Sequence, residues 1–287
     1  MMFAGRDPFR WITTGVMLLF SLVVVGIFLA DFFYVDAAST KEVATSREIR
    51  QAFFLSLYTS ILTTLFSILI AVPTAYALSR YRFKGIVIFD TLVDILIVLP
   101  VLIIGVSLLV FFRMGTEMGQ SGILPVRWAG ALLSRCGEFF IYTKAGIVLA
   151  QFFCAAPYAI RIIKTTFDEV GTRTENVAMT LGCTKAGVFR HVTLPLARNG
   201  ILAGTVLSWV RAYGVFGAVT MVAGAVRGRT EVLPTAIYLE VSIGRIEVAL
   251  AISIVMMITA ALVLIALRAI SGRALFSAVA DGRARNA

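Results

Sequence analysis

The residues of this sequence that could do chemistry are mainly charged side chains placed inside long apolar runs. Asp90 and Asp94 are four residues apart, which puts both carboxylates on one face of a helix. A charge at the centre of a bilayer costs about 2.5–3.5 kcal/mol, so such residues are functional candidates by default. Because Arg82 and Lys84 lie within a few helical turns, we favour structural pairing for the two aspartates.

Arg211 is another charge inside an apolar run, and the same cost requires it to face protein or water rather than lipid. Two interpretations of this residue remain open. It could line a path for an anion, or it could neutralise a carboxylate or a helix end.

Few residues could support enzymatic catalysis. His191 is the only histidine, and it falls in a polar loop where we expect it to be solvated. Cys136, Cys154 and Cys183 fall in three different segments, so we expect neither a disulfide framework nor a metal site. The sequence contains no Gly-x4-Gly-Lys-Ser/Thr phosphate loop, so ATP must bind elsewhere. The sequence therefore predicts neither an enzyme nor a cofactor site.

The elements that position these residues are predicted to be membrane-spanning helices. Of the 287 residues, 59% are hydrophobic and 15% are charged, and the mean hydropathy is +0.93. A span needs about 20 mainly apolar residues. Six runs qualify, at residues 11–30, 52–78, 86–112, 145–163, 196–218 and 248–267. We expect an all-α membrane protein that forms one domain over residues 1–287 and keeps its first span as an anchor.

Two features within the third run, Leu99-Pro100 and Gly105, indicate a helix break or a close approach of another helix.

The distribution of positive charge predicts the orientation of the chain in the membrane. With the N-terminus inside, the inner segments carry 15 of the 26 Lys and Arg residues and the outer segments carry 10. This excess follows the positive-inside rule and puts both termini in the cytoplasm. The net charge of +10 is spread along the chain, and we expect no nucleic-acid partner.

The polar stretch from Glu175 to Pro195 lies between two apolar runs and is predicted to form a cytoplasmic helix–turn–helix. Thr172 with Glu175 three residues later is typical of a capping box that opens the first helix. Gly182 suits the left-handed turn that would end it. Thr184 is expected to cap a second short helix that Pro195 closes. The first helix would present a small apolar face formed by Val177, Ala178 and Leu181.

The spacing of this stretch resembles the cytoplasmic loop of ABC-importer permeases. In that family Glu-Ala-Ala is followed three residues later by Gly and then, after nine, by Ile-x-Leu-Pro. The corresponding positions here are Asn176, Val177, Ala178, Gly182, Val192, Leu194 and Pro195. The glutamate is missing in register, although Glu175 stands one residue early. The resemblance implies that residues 168–195, which we call the coupling loop, dock on an ATPase subunit and pass its motion to the membrane helices.

Two further blocks resemble the sulfate and molybdate branch of these permeases. Residues 73–85 carry Pro-x-Ala-Tyr-x-Leu-x-Arg followed by Phe-Lys-Gly. Residues 211–238 begin with Arg-Ala-x-Gly and end with Leu-Pro-x-Ala-Ile-Tyr. Val215 stands where that branch has Glu, and Ala225 where it often has Asn. These departures leave the cargo open within the branch.

The resemblance implies the type I importer permease fold, with six transmembrane helices and a cytoplasmic coupling helix. It implies a complex in the cell membrane with a second permease copy, ABC ATPase subunits that bind ATP and Mg, and an extracytoplasmic solute-binding protein. The implied cargo is a small oxyanion, first molybdate or tungstate, with sulfate or another small anion as the alternative. The residues expected along the translocation path are Ser208, Arg211, Phe216 and Thr220. An ATP-independent secondary transporter is the rival class, which an inverted repeat would favour.

Overall fold

The computed structural model describes residues 8–120 and 123–284, and all regular structure in this part of the chain is helical. Arg6 and Arg285, which were counted for orientation, lie outside the described residues. The first seven helices are α1 (Pro8–Tyr34), α2 (Ala37–Thr45), α3 (Arg47–Arg80), α4 (Ile86–Val98), α5 (Val101–Met118), α6 (Leu124–Phe140) and α7 (Lys144–Val170). The next are α8 (Thr172–Thr180), α9 (Lys185–Val188), a π-helical turn (Phe189–Thr193), α10 (Leu194–Leu196), α11 (Arg198–Tyr213), α12 (Gly217–Ala223), α13 (Leu233–Ser242) and α14 (Ile246–Ala284).

The described helices supply up to six membrane spans. The helices α1, α3, α5 and α7 and residues 246–267 of α14 are each long and apolar enough to cross a membrane. A sixth span is available when α11 and α12, which meet at an angle of 61°, are counted as one broken span. Each of these spans overlaps one of the six predicted runs, and the predicted all-helical membrane fold is confirmed.

Two of the predicted runs are interrupted. Residues 86–112 divide into α4 and α5 at Leu99–Pro100, because proline has no N–H to continue the helix. The break indicated by the sequence is therefore confirmed. Residues 196–218, predicted as one span, divide into two helices, since α11 ends at Tyr213 and α12 begins at Gly217.

The bend between α11 and α12 lets the chain approach α5 closely. A Cβ atom on Gly105 would lie only 2.8 Å from the Cα atom of Ala218. A Cβ atom on Gly217 would lie 3.3 Å from the backbone of Leu102. The close helix approach predicted at Gly105 is therefore confirmed, and it brings the break in α4–α5 against the break in α11–α12.

The centre of the bundle is the packing of α3 against α7 and α11. The buried face of α3 is a stripe of small polar residues formed by Ser56, Thr59, Ser60, Thr63, Thr64 and Ser67. Small side chains let helix backbones approach closely in membranes, and hydroxyl groups can bond across the contact. Thr63 uses both properties, because its Oγ1 donates to Gln151 Oε1 of α7 at 2.9 Å.

The segment between α5 and α7 is largely the helix α6. It packs along α5, and a Cβ atom on Gly115 of α5 would lie 2.7 Å from the backbone nitrogen of Ser134.

The first helix, α1, has no buried residue in its most apolar stretch and leaves that surface to lipid.

Candidate functional site

The first half of the coupling loop is helix α8, which follows α7 after one residue. Gly171 makes this turn with a φ of +67°, where a residue with a Cβ atom would be strained. At the other end Gly182 has a φ of +91°, and the N–H of Cys183 donates to the carbonyl of Ala178 at 3.1 Å. This left-handed ending confirms the predicted stop at Gly182.

The predicted capping box at the start of α8 is wrong. The N-cap residue is Gly171, and no side chain caps the helix there. Glu175 instead binds Arg80, with a nitrogen–oxygen distance of 3.0 Å. The guanidinium offers a full positive charge, whereas a helix N-terminus offers only about half of one. The carboxylate therefore turns towards the bundle.

Arg80, Glu175 and Thr193 form a buried cluster that we call the loop node. Arg80 Nε donates to Glu175 Oε1 at 3.0 Å, and Thr193 Oγ1 donates to the same oxygen at 2.8 Å. Arg80 Nη2 donates to the carbonyl of Phe167 at 2.8 Å. The side chains of Arg80 and Glu175 are each only 7% exposed. The node thus joins the end of α3, the end of α7, helix α8 and the π-helical turn.

The second half of the coupling loop begins as predicted and ends differently. Thr184 caps α9, because its Oγ1 accepts from the N–H of Gly187 at 3.2 Å. Pro195 was expected to close this helix, which is wrong. The π-helical turn at residues 189–193 comes directly before α10, where proline is tolerated in the first turn. The chain then continues into α11 after Ala197.

Aromatic packing fixes the second half of the loop to the bundle. The centroid of the Phe189 ring lies 4.7 Å from the ring centroid of Tyr76 in α3 and 6.4 Å from that of Phe167 in α7. Val188, one residue earlier, is buried. Both halves of the loop are therefore held by the same two membrane helices.

The outward face of the coupling loop is apolar with a basic rim. Val177 and Leu181 are 55% and 80% exposed, and their spacing of four residues puts them on one side of α8. The coupling loop also exposes three basic side chains, those of Arg173, Lys185 and Arg190, which we call the basic rim. Among the other predicted coupling residues, Asn176 and Pro195 are exposed, while Ala178, Val192 and Leu194 are half-buried.

Asp90 and Asp94 are paired, as favoured from the sequence, but Arg82 and Lys84 are not their partners. Arg161 of α7 binds both carboxylates. Its Nη1 donates to Asp90 Oδ1 at 2.9 Å, and its Nε donates to Asp94 Oδ1 at 2.7 Å. The sequence pointed to Arg82 and Lys84 because they are near along the chain. Packing of α4 on α7 places a better-oriented guanidinium beside the aspartates.

Arg211 lines a cavity of about 420 Å³ at the two helix breaks. Its guanidinium carbon lies 4.1 Å above the ring of Tyr158, an arrangement that attracts a cation to an aromatic face. No acidic side chain forms a salt bridge with Arg211 among the described residues. The other lining residues are Leu96, Ile97, Leu99, Pro100, Val101, Ile104, Cys154, Gly214, Val215, Phe216 and Gly217.

The other predicted path residues do not all reach this cavity. Phe216 lines it and also packs on Tyr238, with ring centroids 5.0 Å apart. Ser208 is buried and is not among the lining residues, and its hydroxyl has no hydrogen-bond partner in the described part of the chain. Thr220 is half-buried, and its hydroxyl donates to the carbonyl of Phe216 at 3.0 Å.

Sequence reasoning missed Tyr158 and the role of Arg80. Arg80 belongs to the recognised block at residues 73–85, but that pattern gave no indication of its partners. The ring of Tyr158 packs against the Arg211 guanidinium, and the Tyr158 hydroxyl lies 3.5 Å from the carbonyl oxygen of Ile97 in α4. Its one local signal is the position three residues before Arg161, which puts both on one face of α7.

A second charged network lies at the end of the bundle opposite the coupling loop. Arg227 binds Glu240 at 2.6 Å and Glu48 at 3.4 Å, and Arg245 binds Glu42 and Glu240. Glu231, next to this network, is buried, and its Oε2 has no hydrogen-bond partner in the described part of the chain. Burial raises the pKa of Glu231 to about 7, against the opposing effect of Arg227. This end of the bundle therefore carries one carboxyl group that titrates near neutral pH.

Residues 67–276 match the family described as binding-protein-dependent transport system inner membrane component. The chain belongs to this family. The match covers more than half of the sequence and includes both the coupling loop and the Arg211 cavity.

Relatives with named functions span most of the chain. The sulfate transport system permease protein CysT of Salmonella typhimurium is 29% identical over 81% of this chain and 80% of its own length. The molybdenum transport system permease protein ModB of Mycobacterium tuberculosis is 33% identical over 77% and 79%. A probable molybdenum ABC transporter permease protein of Haloferax volcanii is 36% identical over 73% and 71%.

Solved structures confirm the fold. A chain of a bacterial ABC transporter for import of the acidic polysaccharide alginate aligns with a TM-score of 0.70 and 18% identity, covering 93% of this chain and 98% of that one. A chain of the MetNI methionine ABC transporter, in an inward-facing conformation, aligns with a TM-score of 0.59 and 18% identity, covering 80% and 99%. The chain has the type I importer permease fold.

Proposed function

We propose that this protein is the membrane subunit of an ATP-driven importer and forms the path for a small oxyanion, with molybdate or tungstate as the first candidate. The observation that carries the proposal is Arg211. Its positive charge lies in a cavity at the junction of two helix breaks and has no carboxylate partner in the described part of the chain. A charge inside a membrane span is costly against lipid, so Arg211 is expected to face protein or a water-filled path.

An oxyanion is the cargo that this cavity fits best. Arginine binds oxyanions through a planar set of donors, and the Arg211 guanidinium lies over the ring of Tyr158 in this cavity. The remaining lining is largely apolar, so the cavity offers an anion an attractive group without the several fixed charges that would trap it. The molybdenum and sulfate functions of the relatives support this class of cargo.

The coupling loop supports the ATP-driven mechanism. The exposed apolar pair Val177 and Leu181 would dock in a groove on an ATPase subunit, which would bind ATP and Mg, and the basic rim would favour an acidic border on that groove. Two permease copies would line the path, and a binding protein outside would deliver the cargo. This arrangement puts both termini and the loop in the cytoplasm.

Transport by the reconstituted complex tests the proposal. Proteoliposomes that contain the permease, its ATPase subunit and its binding protein should take up labelled molybdate only when ATP is present. Sulfate as labelled cargo or as competitor separates the two oxyanions. If sulfate is carried and molybdate is not, the alternative cargo holds. Uptake that is independent of ATP would refute the importer mechanism.

Arg211→Gln tests the path. A charge-assisted hydrogen bond contributes about 1.5–3 kcal/mol, so the variant should lower uptake about tenfold to hundredfold. Arg113→Gln is the matched control, because Arg113 is highly exposed at the far end of α5. In a background in which Cys136, Cys154 and Cys183 are replaced by alanine, Arg211→Cys should react with water-soluble thiol reagents. Full protection of that cysteine in every nucleotide state, or normal uptake by Arg211→Gln, would argue for a structural role.

A further inference from the structure

We propose that the loop node of Arg80, Glu175 and Thr193 is the connection through which movement of the coupling loop reaches α3 and α7. Glu175 then acts from inside the loop and not at the surface that docks the ATPase. The proposal rests on the proposed function, because it assumes that the loop is moved by an ATPase subunit. It assigns a positioning role to Arg80 and Thr193, which no sequence pattern indicated.

The two sides of α8 face different partners. Residues of an α-helix are separated by about 100°, so Glu175 lies roughly 160° around the helix from Val177. Val177 is 55% exposed, whereas the side chain of Glu175 is 7% exposed. A partner that binds the outward side of α8 cannot reach the Glu175 carboxylate without unfolding the loop. The glutamate is therefore available only to the bundle.

The node contains the bonds needed to move several elements together. Arg80 at the last position of α3 holds both Glu175 of α8 and the carbonyl of Phe167. That carbonyl is one of the last four of α7, which have no partner within their own helix. Thr193 adds the π-helical turn through its bond to Glu175 Oε1 at 2.8 Å. A displacement of α8 therefore transmits force directly to α3 and α7.

Burial makes this connection stiff. An exposed ion pair can break and reform at little cost, because water replaces each lost bond. A buried pair has no such replacement, so breaking it leaves an uncompensated charge. A guanidinium also holds several acceptors in one plane, which a lysine ammonium does not reproduce. The node thus resists the shear that would otherwise let the loop move without the helices.

The experiment compares Glu175→Gln, Arg80→Lys and Thr193→Val in the complete complex of permease, ATPase and binding protein. Three quantities are measured, namely retention of the ATPase on the purified permease, ATP hydrolysis, and cargo uptake per ATP hydrolysed. Glu169→Gln and Arg82→Lys are matched controls, since both side chains are exposed in the same region. Leu181→Asp tests the docking surface separately.

We expect the three node variants to retain the ATPase and its hydrolysis while uptake per ATP falls about 3- to 30-fold, the range typical of coupling residues. The KM for cargo should stay unchanged, because the cavity is not altered. Thr193→Val keeps the size and charge of the site, so it remains informative if the charge variants fold poorly. The two control variants should behave like the wild type.

Two results would overturn the proposal. One is loss of ATPase binding in Glu175→Gln, to the extent seen in Leu181→Asp, which would place the glutamate in the docking contact. The other is wild-type uptake per ATP in all three node variants. Failure of the proposed function gives a different result, because Leu181→Asp would then leave assembly and uptake intact.

Discussion

The ion pairs of Arg161 predict how α4 is held in the bundle. This helix has no buried residue, and its packing is mainly against α7. Arg161 of α7 supplies two charge-assisted hydrogen bonds, to Asp90 at 2.9 Å and to Asp94 at 2.7 Å. Arg161→Gln removes the positive charge and leaves two carboxylates one helical turn apart. We expect α4 to lose its main polar attachment in this variant.

The size of the effect follows from burial. Each bond between charged groups contributes about 1.5–3 kcal/mol, and breaking a fully buried pair costs about 3–5 kcal/mol. Arg161 and Asp94 are 28% and 50% exposed, so solvent screening lowers these contributions. We expect Arg161→Gln to reduce the free energy of unfolding by about 1–2 kcal/mol. The triple variant Arg161→Gln, Asp90→Asn and Asp94→Asn should lose less than about 0.5 kcal/mol, because no unpaired charge remains.

Reversible unfolding in mixed detergent micelles measures these free energies and closes a mutant cycle. Arg82→Gln is the control, because the sequence pointed to Arg82 as a partner and the structure leaves it exposed. It should change stability by less than about 0.5 kcal/mol. The ion pairing is refuted if the triple variant loses as much stability as Arg161→Gln and the double variant Asp90→Asn, Asp94→Asn added together, or if Arg82→Gln destabilises as much as Arg161→Gln.

Two further predictions concern opposite ends of the bundle. Because burial raises the pKa of Glu231 from 4.5 to about 7, its contribution to stability is greatest below about pH 4.5, falls as the pH rises towards 7, and levels off above that pH. Thermal unfolding between pH 5 and 8 should show that the wild type loses roughly 2 kcal/mol of stability over this range. The loss should disappear in Glu231→Gln and persist in the control Glu247→Gln, whose side chain is exposed. A flat wild-type profile would contradict this. Gly182→Ala puts a Cβ atom at a φ of +91°, so we expect the free energy of unfolding to fall by about 1 kcal/mol and the ATPase to dock more weakly. The control Ala186→Gly, on the exposed side of α9, should leave docking intact. Docking by Gly182→Ala as tight as that of the wild type would show that the left-handed turn is not needed to present Val177 and Leu181.

The features that could be predicted from the sequence are those encoded by neighbours along the chain. The six apolar runs correspond to real spans because length and hydropathy alone decide whether a helix can cross a bilayer. Gly182 and Thr184 were predicted correctly because a left-handed turn and a helix cap depend on one or two residues. Pro100 broke its helix for an equally local reason.

The features that could not be predicted depend on residues far apart in sequence. Arg80 and Glu175 are 95 residues apart, so their contact exists only once α3 and α7 have packed. The capping box failed for this reason, since its spacing was correct but Arg80 took the carboxylate. The break between α11 and α12 carries no proline, and the close packing of Gly217 on α5 beside it joins residues more than 100 positions apart.

Helix α7 links the two parts of the candidate site. Near its middle, Cys154 and Tyr158 line the cavity of Arg211. One turn further on, Arg161 holds α4, the helix that ends at the same cavity. At its last turn the carbonyl of Phe167 enters the loop node. A displacement of the loop along α7 would therefore reach the cavity through its own wall and through α4, without any need for a separate chain of contacts.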